Sequence, residues 1–225
     1  MRFSFLILLT TVGLVGCGGD DTTTMTGADL SVASDMAVAQ ASCATYCTTV
    51  LANCSGAPMS ADGGAVGLAP FSGMTACMNA CARWPAGKIG DTSGDSVACR
   101  AYHAMAAGGG MGAARTHCPH ASLSGGGVCG ADRCANFCEL ATQLCTAANG
   151  VSDPQFGSKA DCLAQCGKAP FAFDANEPEL VVDTPTLNCA FYHLGEAFAS
   201  PMATGGSAAD HCGDFRASNV DRGCQ

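Results

Sequence analysis

Residues 43 to 54 read C-A-T-Y-C-T-T-V-L-A-N-C, and residues 134 to 145 read C-A-N-F-C-E-L-A-T-Q-L-C; both are C-x3-C-x6-C. An α-helix turns about 100° per residue, so cysteines at i, i+4 and i+11 fall within about 40° of one another on one face. A strand would alternate faces and scatter them. Cys43, Cys47 and Cys54 therefore line one helical stripe with Val50 between them, and the same holds for Cys134, Cys138 and Cys145.

Working outward, the duplication continues. Phe71 to Pro85 and Phe156 to Pro170 are both F-x5-C-x3-C-x3-P. C-R-A-Y-H at 99–103 returns as C-A-F-Y-H at 189–193, His117-Cys118 returns as His211-Cys212, and each copy closes on a cysteine, Cys129 and Cys224. A duplicated module of about ninety residues follows. With Cys17 set aside, the seventeen cysteines divide into two octets, an even number suited to disulfides in an exported chain.

Three helices per copy are expected. The second begins near Ser72 or Ser158 as N-cap, the latter with Asp161 three residues on, and stops before Pro85 or Pro170. The third carries C-x2-Y-H, entered through Asp95 in the first copy and through Thr184-Pro185 in the second. Two antiparallel helices with C-x3-C can be stapled as a ladder, pairing Cys43 with Cys81, Cys47 with Cys77, Cys134 with Cys166 and Cys138 with Cys162. The other four of the first octet pair as 54 with 99 and 118 with 129, or as 54 with 118 and 99 with 129; spacing does not choose.

The fold class expected is mainly α: two tandem disulfide-stapled small helical modules, residues 42–130 and 131–225, with Gly-rich loops at 108–112 and 124–127. Each module is rich in Ala and Gly and poor in large apolar side chains, so the area it can bury is limited. Disulfides typically add about 2–4 kcal/mol each and compensate for that small core. Only G-A-D-R separates the octets, which predicts modules that touch.

Met1 and Arg2 precede an apolar run to Gly16 that is too short to span a bilayer and reads as a secretory signal, residues 1–16. It ends L-V-G-C, which resembles the lipobox of bacterial lipoproteins. The resemblance implies cleavage before Cys17 and a diacylglycerol anchor on its thiol. By similarity to the sorting rule of enteric bacteria, Gly18 in place of aspartate implies the outer membrane, with a periplasmic or surface-exposed body. Residues 17–41 read as a flexible, lipid-anchored tether. Net charge is −9 with ten Lys and Arg together, which argues against nucleic acid and leaves the lipid as the means of membrane attachment.

The histidines have two readings. Cys99 and His103 share a helical face, so a bridged Cys99 carries His103 inward, as an imidazole packed beside a disulfide, its ring nitrogens bonded to a backbone carbonyl and to Tyr102 or a loop group. Alternatively, His103, His117 and His120, and in the other copy His193, His211 and Asp214, each offer three metal ligands that suit zinc, or copper or iron with less preference. Even octets leave no thiol nucleophile, and no G-x-S-x-G motif occurs, so no enzyme is expected. Ser122 reads as a turn residue, Trp84 as helix-end packing, and Met74, Met78, Met105 and Met111 as core filling.

C-R-A-Y-H, H-C-P-H-A-S and the following G-G-G-V-C-G resemble elements of uncharacterised cysteine-rich bacterial lipoproteins. That resemblance implies location and architecture. The second copy departs from it with Ala190 for Arg100 and Gly213-Asp214 for Pro119-His120. The role expected is a non-catalytic binding or structural module of the envelope without a cofactor, meeting an envelope protein or glycan. The alternative is a metal-binding protein of the periplasm or cell surface.

Overall fold

The computed structural model describes residues 41–55, 69–130, 132–152, 154–168, 186–199, 207–214 and 224. The expected signal, Cys17 and residues 17–40 of the tether lie outside them. The described residues are mainly helical, and none of them forms a strand.

Helix α1 spans Cys43–Cys54, and its first turn is closed by Ser42, whose hydroxyl accepts from the Thr45 amide at 3.2 Å. The cysteine stripe faces inward with Tyr46, Cys47, Val50 and Cys54 all at 0 % exposure. Helix α2, Met74–Cys81, follows Gly73, and Ser72 makes no cap, which moves its start inward from the expected one. Helix α3 spans Val97–Ala106 and is capped by Ser96, not Asp95. Asp95 instead bonds Arg100 Nη1 at 2.7 Å.

Helix α4, Met111–Ala121, corrects the reading of 108–112 as a loop throughout, because Met111 and Gly112 already belong to the helix. A tight turn at Ala107–Gly109 feeds it. Residues 125–127 form a second short turn that continues the chain to Cys129.

The second half repeats this order. Helix α5, Arg133–Leu144, is capped by Asp132, and α6, Lys159–Gln165, by Ser158, whose hydroxyl accepts from the Asp161 amide. Helix α7, Leu187–Ala197, is capped by Thr186, so the start expected at Pro185 lies one residue outside the described cap. Helix α8 spans Ser207–Asp214.

Eight disulfides use all sixteen cysteines of the octets. Cys43 joins Cys81 and Cys47 joins Cys77, tying α1 to α2; Cys134 joins Cys166 and Cys138 joins Cys162, tying α5 to α6. Between the two alternatives for the remainder, the structure has Cys54 with Cys118 and Cys99 with Cys129. The second half follows the same connectivity, Cys145 with Cys212 and Cys189 with Cys224. No bridge crosses between halves, but hydrogen bonds do. Asn79 Nδ2 donates to the Phe198 carbonyl at 2.9 Å, and Asn136 Nδ2 to those of Leu123 and Ser124 at 2.8 and 3.0 Å.

The halves fill their cores differently. In the first, Arg100 is fully buried, its guanidinium 3.8 Å over the Trp84 ring and its Nε bonded to the Ser122 carbonyl at 3.3 Å. Trp84 is itself core, 8 % exposed. In the second half Ala190 replaces Arg100, and the bulk moves one residue on to Phe191, whose ring lies 5.5 Å from Phe137. The four methionines read as core are exposed: Met74 45 %, Met78 37 %, Met105 61 % and Met111 68 %. Alanine and half-cystine take many of the interior positions on their helices, and these four methionines are left outside.

Candidate metal centre

Three of the histidines named from sequence converge in the first half. His103 projects from α3, and His117 and His120 project from α4, where a spacing of three puts both on one helical face. α3 packs on α4, and the Cys54–Cys118 bridge, next to His117, fastens α4 to α1. The approach of the rings is thus set by helices that are covalently braced.

His103 is 6 % exposed, and His117 and His120 are half-buried. His103 Nε2 lies 3.1 Å from the Thr92 carbonyl oxygen, and its Nδ1 lies 3.0 Å from Nδ1 of His117. A carbonyl only accepts, so Nε2 carries the hydrogen, and Nδ1 of the neutral ring presents a lone pair to His117. The ring of His120 stands edge-on to His103, centroids 4.7 Å apart, and its Nδ1 is buried with no hydrogen-bond partner. One nitrogen from each of the three rings falls within 4.8 Å of those of the other two. A tetrahedral ion at about 2.0–2.1 Å from each nitrogen needs them about 3.4 Å apart, so small rotations of the rings close the site.

Burial, then the charges of His103, His117 and Arg133, push the His120 pKa down to about 4. Burial likewise lowers that of His103, against the Thr92 carbonyl, which raises it. Imidazoles held neutral near pH 7 are the form that binds metal. The bond from His103 Nε2–H to Thr92 is the outer contact that typically orients a ligating histidine.

Sulfur takes no part. Cys99 and Cys129 lie beside His103, and Cys189 and Cys224 beside His193, but each pair is a disulfide and offers no thiolate. His103 therefore has both environments weighed from sequence, packed next to a half-cystine on one side and facing two imidazoles on the other. Tyr102 meets it edge-on, with centroids 5.2 Å apart.

In the second half the rings of His193 and His211 lie 5.8 Å apart. The side chain of Asp214, the third member of that set, lies outside what is described. Three features of the first-half site went unread in the sequence: Thr92, the helix that carries His117 and His120, and Gly126. Gly126 has φ +55°, and a Cβ there would come within 2.7 Å of His120 Cδ2 and 2.8 Å of the Pro119 carbonyl carbon. The i, i+3 spacing in H-C-P-H was the available signal, once a helix was assigned to it.

Fold and site define a disulfide-braced helical protein with a trio of converging histidines in its first half. The family model of the BfoA family C-terminal domain matches residues 20–132, and the chain belongs to that family, one of uncharacterised proteins. The matched segment contains the whole first octet and all three histidines of the cluster. No curated protein and no solved structure matches the chain.

Proposed function

We propose that this is a lipid-anchored, non-catalytic binding protein of the bacterial cell envelope, and that its first half holds a transition-metal ion, zinc or copper, through His103, His117 and His120. The observation that supports it best is the convergence of one nitrogen from each of three imidazoles within 4.8 Å, beside a buried His120 Nδ1 that has no hydrogen-bond partner. Imidazole suits zinc and copper, and paired sulfurs leave no thiolate to compete. The L-V-G-C sequence at 14–17 supports anchoring through Cys17 in the outer membrane.

A second reading has its own observation. A recess of about 320 Å³ lies where the halves meet, lined by Trp84, Asp95, Asn136, Glu139 and Lys159. It sets charged and amide side chains beside an indole, which supports a contact with an envelope protein or glycan.

The test of the metal reading is elemental analysis of the untagged, oxidised mature protein purified without chelator, followed by calorimetric titration with zinc and copper(II). About one equivalent per chain, abolished by His103→Ala and by His120→Ala with the fold intact, supports it. Wild-type protein that binds neither ion sinks it.

A further inference from the structure

We infer that the ion held by the three histidines takes its remaining ligand from outside, and that this ligand is a small anion of the carboxylate or phosphate class. The inference rests on the metal reading above and names what that site binds in turn.

Three neutral imidazoles contribute no negative charge, so a bound dication keeps its full charge at a half-buried position. Among the described residues no carboxylate joins the cluster, and every half-cystine near it is paired. A tetrahedral ion with three protein ligands leaves one position open, and in a setting drier than water an anion there is favoured over a neutral donor.

The surroundings reinforce that sign. Gly126 and Gly127 are consecutive: a Cβ on the first would touch His120 Cδ2, and a Cβ on the second would lie 3.3 Å from Arg133 Nη1. The imidazole and the guanidinium thus flank one short turn, and the positive charge of Arg133 is felt at His120. An anion on the metal would therefore also lie in the field of the positive Arg133 across that turn. His103 closes the inner side, and half-buried His117 and His120 leave an approach from solvent.

The experiment uses the oxidised full-length protein loaded with cobalt(II), which reports tetrahedral coordination by visible absorption. Azide, acetate and inorganic phosphate are then titrated in. Saturable shifts of the cobalt bands are expected, with anion affinity weakened about fivefold by Arg133→Gln, restored by Arg133→Lys, and cobalt affinity unchanged in both. Strong cobalt bands that none of the three anions moves, even in large excess, would overturn the inference and leave the metal site standing. Absence of the bands would remove both.

Discussion

Nδ1 of His103 and Nδ1 of His117 face each other at 3.0 Å, while the far nitrogen of His103 is tied to the Thr92 carbonyl. Only one proton fits between the two Nδ1 atoms, so the pair is stable when at least one ring is uncharged. His120 closes over them with its pKa lowered to about 4. The folded cluster thus binds fewer protons than the unfolded chain, in which a histidine titrates near 6.5. Stability should be full above pH of about 6.5 and should decline as pH falls from there toward about 4. Thermal unfolding across this range should show that slope, and His120→Gln should flatten it. A slope unchanged in the variant would mean that His120 is not held neutral.

Gly126 shapes the ring position of His120. Because its φ is +55° and its missing Cβ would strike both His120 and the Pro119 backbone, Gly126→Ala should cost about 1–2 kcal/mol. Displacing a ligand ring in this way should also weaken metal binding about tenfold, read by zinc titration of the refolded variant. An alanine variant with wild-type affinity would show that the turn does not orient the ring.

The two halves differ in a way that predicts a stabilising change. In the first, a recess of about 380 Å³ is lined by Ser42, Thr45, Thr49, Ala101, Tyr102 and Met105. The second half has Leu140 at the place of Thr49 and Phe191 at the place of Ala101, both buried. Ala101→Phe should lay a ring into the recess and raise stability by about 1 kcal/mol, seen in denaturant unfolding at unchanged m. Destabilisation would indicate that α1 and α3 cannot accept the ring.

Bridges that close longer loops constrain the unfolded chain more. Cys54–Cys118 spans 64 residues and Cys138–Cys162 spans 24. Replacing both cysteines of the first pair by serine should cost about 4 kcal/mol, about 1 kcal/mol more than the same change in the second. The first double variant should also loosen His117, the neighbour of Cys118, and lower zinc affinity, whereas the second should leave it untouched. Equal loss of zinc affinity in both would mean that the bracing is global and not local to α4.

Helices α1 and α5 and their ladders to α2 and α6 could be read from spacing, because C-x3-C places two sulfurs one turn apart on one face. Helix α4 could not. It opens in G-G-G-M-G, where intrinsic helix propensity is poor, and it is held by the bridge to Cys54 and by packing on α3, neither of which is local. The methionines misled for a related reason: hydrophobicity marks them for the interior, but braced helices this close together leave room for Ala76, Ala80, Ala104 and Ala114 there instead.

By itself the sequence determined the duplicated helical framework and the parity of its cysteines, since both are written in short, regular spacings. The tertiary structure alone decided that Cys54 pairs with Cys118 and Cys99 with Cys129, and that His103 meets His117 and His120. His103 and His117 are 14 positions apart, with a glycine turn between them. The direction in which such a turn returns the chain depends on what the next helix packs against, and no local pattern records that.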